Sequence, residues 1–429
     1  MTKPTAHTRA LVEKSLRRRY WAERRFRFYG LLAVALGIIA VFFLFGTIIA
    51  RGSSAFQQAR LTLEVFHDPE IIDPEGTRSP AALETANYSS VVRASLRELF
   101  PEVQERAETR ALYRLISNSA AHQLQRRVEA NPDLIGKRET LSFLASANVD
   151  QFLKGHINVK VAEEARVLTD QDLAWIDQLE SRANLRLHFN TGFLTGGDSR
   201  EPEQAGVWGA VVGSMFTLLV TLLMSFPIGV AAAVYLEEFA RRNRWTDLVE
   251  VNINNLAAVP SIVFGLLGLA VFLNFFGMPR SAPLVGGFVL TLLTLPTIII
   301  TARAALKAVP PSIREAALGM GASKLQMVAH HVLPLAMPGI LTGTIIGMAR
   351  ALGETAPLLL IGMVAFIVDI PHGLTDPATA LPVQIFLWAD SPERAFLERT
   401  SGAIIVLLLF LVVMNAAAVI MRNRYERRW

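Results

Sequence analysis

The sequence contains no cysteine among its 429 residues. Disulfide bonds and thiolate-ligated metal sites are therefore excluded. Charged residues are also scarce, at 18%, whereas hydrophobic residues make up 52% and the mean hydropathy is +0.36. This balance is too apolar for an ordinary soluble protein. It is typical of a membrane protein with several spans and one polar insert.

The chain also lacks the motifs of common enzyme classes. Residues 319–324 superficially resemble a phosphate-binding loop, but no segment has the GxxxxGK[ST] pattern between a strand and a helix. His330 and His331 are adjacent, so they cannot share a helix face, and no HExxH zinc motif occurs. The other histidines are scattered along the chain. We therefore expect no catalytic residue, no metal site and no cofactor bound by this chain.

Six apolar runs are long enough to cross a bilayer, which takes about 20 apolar residues. Five of them contain no charged residue, and the remaining one contains Arg350 and Glu354. The sequence therefore predicts an all-α polytopic membrane protein with six transmembrane helices. The runs lie near 31–50, 211–236, 256–276, 283–302, 337–366 and 402–421.

Basic residues lie at alternate connections between these runs. Nine Lys or Arg residues occur in 1–28, and further ones follow the second, fourth and sixth runs. Connections rich in Lys and Arg are usually cytoplasmic, so we predict that both termini are cytoplasmic in a bacterial inner membrane. The N-terminal segment is expected to touch anionic membrane lipid and no nucleic acid, because an apolar run follows at once. That run is longer than the apolar part of a typical signal peptide, so we expect no cleavage.

A polar insert, residues 51–204, separates the first two runs and has the size of a domain. Apolar periodicity predicts a mainly α insert, or an α+β one, because 62–66 and 185–189 alternate like short paired strands. Thr169 and Asp172 form an expected helix cap. Residues 52–205 contain 23 acidic and 17 basic residues, which suits the outer side of the membrane. The predicted helices lie near 83–99, 102–129, 138–154 and 170–183.

The connection between the fourth and fifth runs contains a short helical pattern. Ser312 is expected to cap this helix, with Glu315 at the capping-box position, and Gly319 and Gly321 are expected to end it. The run that follows carries glycine every fourth residue, which forms one stripe on a helix and permits close packing against a neighbour. The glycines of this stripe are Gly339, Gly343 and Gly347.

These residues carry a resemblance to a known family. The spacing EAA-x3-G-x9-I-x-LP is the EAA loop of ABC importer permeases, and this chain keeps it except for His331 at the Ile position. Three further stretches, 258–266, 295–299 and 349–357, resemble the PstA-type permease of phosphate-specific ABC importers. The resemblance covers roughly residues 205–429. The residues that match the EAA loop are Glu315, Ala316, Ala317, Gly321, Leu333 and Pro334.

The resemblance implies the six-helix fold of type I ABC importer permeases. The apolar runs and the distribution of charge predict a division into a basic cytoplasmic segment (1–28), a first transmembrane helix (29–50), the extracytoplasmic insert (51–204), a permease core (205–421) with a cytoplasmic coupling loop (303–336), and a basic cytoplasmic tail (422–429). The chain itself would be no enzyme. Its implied partners are a homologous PstC-like permease, a PstB-like ATPase dimer that binds ATP and magnesium, and a PstS-like extracytoplasmic phosphate-binding protein.

The charged pair in the fifth run has two interpretations. Arg350 and Glu354 are four residues apart, so they share a helix face and can pair. Near the bilayer midplane, Arg350 would lower the electrostatic barrier for a phosphate anion, Glu354 would keep it from being trapped, and the adjacent Thr355 would line the same pathway. The alternative is a structural ion pair between this helix and a neighbour.

Other functions remain open at this stage. The chain could serve an importer of another oxyanion, such as sulfate, molybdate or phosphonate. A membrane sensory receptor would also have an outer domain between two spans, but four further spans and the absence of a signalling domain count against it. A membrane protease would need a paired nucleophile and base or a metal motif, and the spans contain neither.

Overall fold

The computed structural model describes residues 6–163 and 166–425, which are mostly helical. The chain forms two units, residues 1–51 and 52–429. The first unit consists mainly of α1, Ala6–Gly52, which contains the apolar run 31–50. Of the two predicted basic terminal segments, residues 1–5 and 426–429 lie outside the described part of the chain.

Three antiparallel strands form the sheet of the insert. β1 (Gln57–Phe66) lies between β2 (Arg138–Leu144) and β3 (Leu185–Phe189). Alternate side chains of β1 are buried, as expected for a sheet with one face in a core. The two predicted strands are confirmed as parts of neighbouring strands. The expected pairing of these two stretches with each other was wrong, because β3 lies opposite 57–61 while 60–66 lie opposite β2.

Helices cover the buried face of this sheet. Leu96, Leu124 and Ile176 come from three different helices and lie together in one apolar core. The predicted cap is confirmed, because the Thr169 hydroxyl accepts from the Asp172 backbone and the Asp172 carboxylate accepts from the Thr169 backbone. The helices of the insert are α2 (Pro69–Ile72), α3 (Pro80–Thr85), α4 (Tyr88–Leu99), α5 (Arg106–Tyr113), α6 (Ser119–Ala130), α7 (Ala147–Leu153), α8 (Asp170–Ser181) and α9 (Thr191–Thr195).

The predicted helix over 138–154 was wrong in its first half. Residues 138–144 form β2, where Leu141 and Phe143 lie opposite Leu63 and Leu61 of β1. Only the second half is helical, as α7. Cross-strand apolar pairs stabilise the strand more than the local helical pattern stabilises a helix.

The predicted helix over 102–129 is interrupted between α5 and α6. In the interruption, the Ser117 backbone donates to the carbonyl of Leu144 at 3.0 Å, and Ile116 forms a β-bridge with Ala145. Backbone pairing at the end of β2 therefore replaces the helical hydrogen bonds of this segment.

Five helices of the described chain are long and apolar enough to cross a membrane, by length and composition. A sixth crossing is obtained if the helical segments Arg244–Ala257 and Ser261–Phe275, which meet at an angle of 100°, count as one broken span. The helices that follow the insert are α10 (Trp208–Val234), α11 (Arg244–Ala257), α12 (Ser261–Gly268), α13 (Pro283–Lys307), α14 (Pro311–Gly319), α15 (Lys324–Met327), α16 (Leu333–Gly353), α17 (Ala356–Leu360), α18 (Leu381–Ala389) and α19 (Ala395–Tyr425).

The apolar run 256–276 is not one straight span. The chain bends by 100° between α11 and α12, next to Pro260. Proline disfavours a helical conformation at the residue before it, which explains the break at this position. α12 continues as a π-helix over Leu269–Phe275. α12 and this π-helix together rise only about 22 Å, which is less than the roughly 30 Å of a bilayer core.

The apolar run 337–366 is also divided, contrary to the prediction of one span. The helical segment runs from Lys324 to Gly353, through α15, a π-turn over Val328–Val332 and α16. It ends there because the ring of Pro357 would clash with the carbonyl of residue 353 and supplies no backbone donor. The rest of the run forms the short helix α17 and an irregular segment.

Glycines permit close packing around α13, which lies between α10 and α16. A Cβ atom at Gly287 of α13 would clash with Val220 of α10. A Cβ at Gly229 of α10 would lie 2.7 Å from Ile298 of α13. The axes of these helices therefore approach more closely than larger residues would permit.

Candidate functional site

The EAA motif forms the short helix α14. Pro310 occupies its N-cap position and Pro311 its first turn, so the prediction that Ser312 caps the helix was wrong. Proline at the first helical position is pre-organised for the helix and loses no hydrogen bond. The predicted end at the two glycines is confirmed: α14 ends at Gly319, and Gly321 has φ +84°, which only glycine adopts without strain.

One side of α14 packs on the helical core and the other is exposed. Ala317 is buried in the same apolar cluster as Leu306 of α13. Glu315 and Ala316 are exposed, as is the apolar side chain of Leu318. Met320, just beyond the helix, is 77% exposed. The EAA motif thus offers a small, partly apolar surface next to a buried anchor, which is typical of an interaction site.

Arg314 fixes the position of α14. Its guanidinium pairs with Glu238 at 2.7 Å, and the Glu238 side chain is 7% exposed. The same guanidinium donates to the carbonyls of Val309 and Leu306 at 2.7 and 2.9 Å. These carbonyls lie at the end of α13, where backbone acceptors lack helical partners. Arg314 therefore connects three segments: α13, α14 and the π-helix Tyr235–Phe239 that follows α10.

A second ion-pair group lies beside Arg314. Glu237 lies 3.5 Å from both Arg303 and Lys307 of α13, and Arg303 also pairs with Glu250 of α11 at 2.5 Å. Sequence reasoning missed the two glutamates of this region. The available signal was their position, since Glu237 and Glu238 directly follow the uncharged run 211–236 and face a basic connection.

The second half of the motif lies inside a continuous helical segment. Leu333 and Pro334 begin α16, directly after the π-turn. The wider π-turn accommodates the ring of Pro334, which cannot accept the normal α-helical geometry behind it. His331 is exposed, while Val328 and Val332 of the same turn are buried. The two valines therefore supply the buried contacts of this turn, and His331, which replaces the Ile of the motif, does not contribute to them.

The three glycines of the stripe differ in their surroundings. A Cβ at Gly339 would lie 2.7 Å from Ala305, and a Cβ at Gly343 would clash with Thr301. The Cβ position at Gly347 is less crowded, with Ile298 at 3.9 Å. All three neighbours belong to α13, so the stripe faces that helix.

Arg350 lies in the last turn of α16, and Glu354 occupies its C-cap. The Arg350 Nε lies 3.4 Å from the Glu354 Oε1, and the arginine side chain is 49% exposed. A cation near a helix C-terminus also interacts favourably with the helix dipole. Thr355 follows at the N-cap of α17. The pair therefore lies at a junction between two helices, whereas the sequence predicted it inside one span.

The structure brings the three family-specific stretches together. A Cβ at Gly265, in stretch 258–266, would lie 2.7 Å from the Cα of Pro357, in stretch 349–357. Gly347 lies two residues before stretch 349–357. A Cβ at Gly347 would lie 4.0 Å from Thr297, which belongs to stretch 295–299. The EAA motif is not part of this group. Lys324 and Arg350 are separated by roughly 40 Å of helix axis.

A buried ion cluster, formed by Asp150, Lys154 and Glu398, connects the insert to α19. The Lys154 ammonium lies 2.6 Å from the Asp150 carboxylate and 2.8 Å from the Glu398 carboxylate. The side chains of Lys154, Asp150 and Glu398 are only 1%, 4% and 3% exposed, respectively. Gln151 also donates to Glu398. Sequence reasoning missed this cluster, because 244 residues separate Lys154 from Glu398.

Burial and ion pairing act in opposite directions on Asp150. Burial raises the pKa of its carboxyl group, and the neighbouring Lys154 partly opposes that shift. The backbone of Ala59 in β1 also donates to this carboxylate at 2.6 Å. Next to the cluster, the fully buried Arg399 donates to the carbonyl of Ala55 at 3.2 Å. The start of α19 is therefore joined to the insert by charge-assisted hydrogen bonds.

Family models match two parts of the chain. Residues 225–429 match "Binding-protein-dependent transport system inner membrane component", and residues 13–163 match "Domain of unknown function (DUF3333)". A crystal structure of a bacterial ABC transporter involved in the import of the acidic polysaccharide alginate is similar over 51% of this chain and 79% of that chain. Its sequence identity is 15% and its TM-score 0.40.

Relatives with assigned functions match the helical core. The chain is 34% identical over 231 residues to phosphate transport system permease protein PstA 1 of Mycobacterium tuberculosis, covering 53% of this chain and 74% of that protein. It is also 34% identical over 214 residues to the PstA protein of Yersinia pestis, covering 50% and 71%.

The apolar helices and these matches define a multi-pass inner-membrane permease of the ABC importer class. Within that class, the chain belongs to the PstA-type family of phosphate transport permeases.

Proposed function

We propose that this chain forms half of the translocation pathway of an ATP-driven importer for inorganic phosphate. The observation that carries the proposal is the 34% identity to phosphate permeases across the helical core. The three family-specific stretches, which meet around Gly265 and Pro357, lie within this core. The second half of the pathway comes from a homologous PstC-like permease.

The exposed side of α14 is the proposed contact with a PstB-like ATPase. Leu318 and Met320 present apolar surface there, and Glu315 adds a charge. Because Arg314 ties α14 to α13 and to Glu238, movement of α14 would be passed directly to the membrane helices. ATP and magnesium would be bound by the ATPase, so this chain would supply coupling and a pathway without catalysing hydrolysis.

The orientation follows from the basic connections. Both termini and the loop 303–336 would be cytoplasmic, and the insert would face the outer side, where a PstS-like protein delivers phosphate. The PstA-type relatives supply the substrate assignment, and sulfate, molybdate and phosphonate are the competing oxyanions.

The proposal predicts phosphate-selective stimulation of ATP hydrolysis. The chain would be co-expressed with its companion permease and ATPase, purified as a complex and reconstituted in liposomes with the cognate binding protein. Phosphate should raise the ATPase rate severalfold, and sulfate, molybdate and phosphonate should not. Stimulation by one of those anions alone would assign the importer to that substrate. No stimulation by any oxyanion from an intact complex would contradict an importer function.

The same complex tests the coupling surface. Leu318→Glu should reduce the amount of ATPase recovered with the chain, because a charge replaces an apolar contact. Leu187→Glu, an equal change at an exposed position of β3, serves as the matched control and should leave recovery unchanged. Equal recovery from both variants would exclude Leu318 from the ATPase contact.

Arg350→Ala should lower phosphate uptake at least tenfold without loss of complex assembly. The reason is that Arg350 supplies the positive charge of the proposed pathway, and one decade in rate corresponds to about 1.4 kcal/mol. Uptake of labelled phosphate into reconstituted liposomes is the measurement, and Arg350→Lys, which retains the charge, should recover part of the rate. Normal uptake would contradict the pathway role, and a failure of the complex to assemble would identify a structural ion pair.

A further inference from the structure

A large, partly open cavity lies where the insert meets the start of α19. Its volume is about 1110 Å³, slightly above the usual range of small-molecule sites. The walls come from α4, α5, the segment 114–118, the start of α7, residues 156–161, 166–167 and 201–203, and residues 393–395 at the start of α19. This cavity is separate from the helical junction at Arg350 and from the EAA motif, and the proposed transport function does not use it.

Positive charge predominates in the lining. Five arginines line the cavity, together with His156, against three glutamates. Arg166 pairs with Asp170, whereas the other four have no carboxylate within ion-pair distance in the described chain. Their unneutralised charge favours an anionic ligand. The five are Arg93, Arg110, Arg114, Arg166 and Arg394.

Three lining side chains have buried polar atoms without a hydrogen-bond partner in the described residues. They are the Nε of Arg166, the Oγ of Ser146 and the Oε2 of Glu203. The side chain of Arg166 is only 7% exposed. Buried polar groups are nearly always hydrogen-bonded in folded proteins, and each exception calls for an explanation. A ligand with several oxygens would satisfy all three atoms.

Glu203 fits an anion despite its carboxyl group. Burial raises the pKa of this carboxyl, and the Ser117 hydroxyl donates to its other oxygen at 2.6 Å. In the neutral form, the unpartnered oxygen can carry the proton and donate it to an oxygen of the ligand. Ser146 can also donate its hydroxyl, and Arg166 its Nε–H. Ser146 and Arg166 can therefore donate hydrogen bonds toward the cavity, and Glu203 can do so when its carboxyl group is protonated.

The rest of the lining leaves room beyond a single phosphate group. Tyr113, Ile116, Ile157 and Val161 supply apolar and aromatic surface. Planar guanidinium groups suit phosphate oxygens because they can donate two parallel hydrogen bonds. The combination indicates a phosphate group that carries an organic part, with the phosphate at the arginines and the organic part on the apolar surface.

From this geometry we propose that the cavity binds the phosphate group of a small phosphomonoester or of an anionic lipid headgroup. Arg110 and Arg114, one turn apart at the end of α5, hold the phosphate oxygens together with Arg166, Ser146 and Glu203. Arg394, the residue directly before α19, lies in the same lining. The bound group therefore bridges the insert and the last membrane helix, and its occupancy changes how firmly the two are joined.

Calorimetric titration of the purified full-length chain tests the site. The probes are glycerol 3-phosphate, inorganic phosphate and sulfate in detergent, followed by the chain in nanodiscs with and without phosphatidylglycerol. We expect saturable binding of glycerol 3-phosphate, weakened at least tenfold in Arg110→Gln/Arg114→Gln, because two charge-assisted hydrogen bonds are lost. If a lipid headgroup is the occupant, phosphatidylglycerol nanodiscs abolish this binding and phosphatidylcholine nanodiscs do not. Binding that persists in both identifies a free phosphomonoester.

Two matched variants make the result specific. Arg126→Gln changes an exposed arginine of α6 outside the cavity and should leave binding unchanged. Arg350→Gln removes the arginine of the proposed pathway and should also leave it unchanged, so failure of the cavity proposal and failure of the transport proposal remain distinguishable. The cavity proposal is overturned if neither phosphate compound binds at millimolar concentration in detergent. It is equally overturned if the double variant binds as well as the original chain, or if sulfate binds as tightly as glycerol 3-phosphate.

Discussion

Lys154→Met should lower the free energy of unfolding by about 3–5 kcal/mol, the cost of breaking a buried ion pair from one side. The substitution removes the ion-pair partner of the Asp150 and Glu398 carboxylates, which are both almost fully buried. The neighbouring Arg399 is then the cation that remains beside them. Thermal unfolding of the purified chain in detergent, followed by tryptophan fluorescence, should show a Tm lower on the order of 10 °C.

The pH dependence of this loss identifies its cause. An acid whose pKa is raised in the folded state binds a proton more readily when folded, so its contribution to stability falls as pH rises through the unfolded and then the folded pKa. Burial already raises the pKa of Asp150, and removal of Lys154 raises it further. The difference in Tm between Lys154→Met and the original chain should therefore be largest near neutral pH and shrink as pH falls. A difference that is constant with pH would mean that lost packing, and not unpaired charge, causes the effect.

A neutral partner provides the control. Lys154→Met combined with Glu398→Gln removes one positive and one negative charge, and it leaves Asp150 beside the buried Arg399. This double variant should recover most of the lost Tm, because the charges that remain are matched. If the double variant is less stable than Lys154→Met alone, the charges are not the source of the instability.

Gly343→Ala should be the most damaging single methyl addition in the glycine stripe. Its Cβ would clash with the side chain of Thr301, so α16 and α13 must separate or shift. Overpacking of this kind costs about 1–3 kcal/mol, and more where backbones are in contact. We expect a lower Tm and a severalfold loss of phosphate uptake in the reconstituted complex.

Gly347→Ala is the matched control, because it makes the same change one turn later on the same stripe. The nearest atom to its Cβ would lie 3.9 Å away, an ordinary contact. Alanine also has a higher helix propensity than glycine, so stability should stay equal or increase slightly. Thr301→Gly, added to Gly343→Ala, removes the clashing atoms and should restore part of the Tm. Equal effects of Gly343→Ala and Gly347→Ala would contradict close contact at Gly343.

Local patterns predicted the features that local physics determines. The Thr169 cap was predictable because both partners lie within four residues, and the end of α14 because glycine permits a positive φ. The alternation at 62–66 and 185–189 identified parts of two strands. The helix over 138–154 was wrong because its first half is stabilised by cross-strand neighbours in β1, some 80 residues away, which no local window contains.

The candidate sites divide in the same way. The EAA spacing located α14, and its exposed side follows from residues within one helix turn. The partners of Arg314 could not be read from the sequence, because Glu238 lies 76 residues earlier. The place of Arg350 was misjudged for a different reason: hydropathy does not register the effect of Pro357, which ends α16 within an otherwise continuous apolar run.

The ion cluster at Lys154 also determines how separable the insert is. A chain shortened by joining α1 directly to α10 would retain Glu398 and Arg399 but lose Lys154, Asp150 and the carbonyl of Ala55. Two charges that were matched in the parent would then lack their partners beside the last helix. The insert is therefore not an independent part of the fold, because its removal would exchange the buried partners of Glu398 and Arg399 for water.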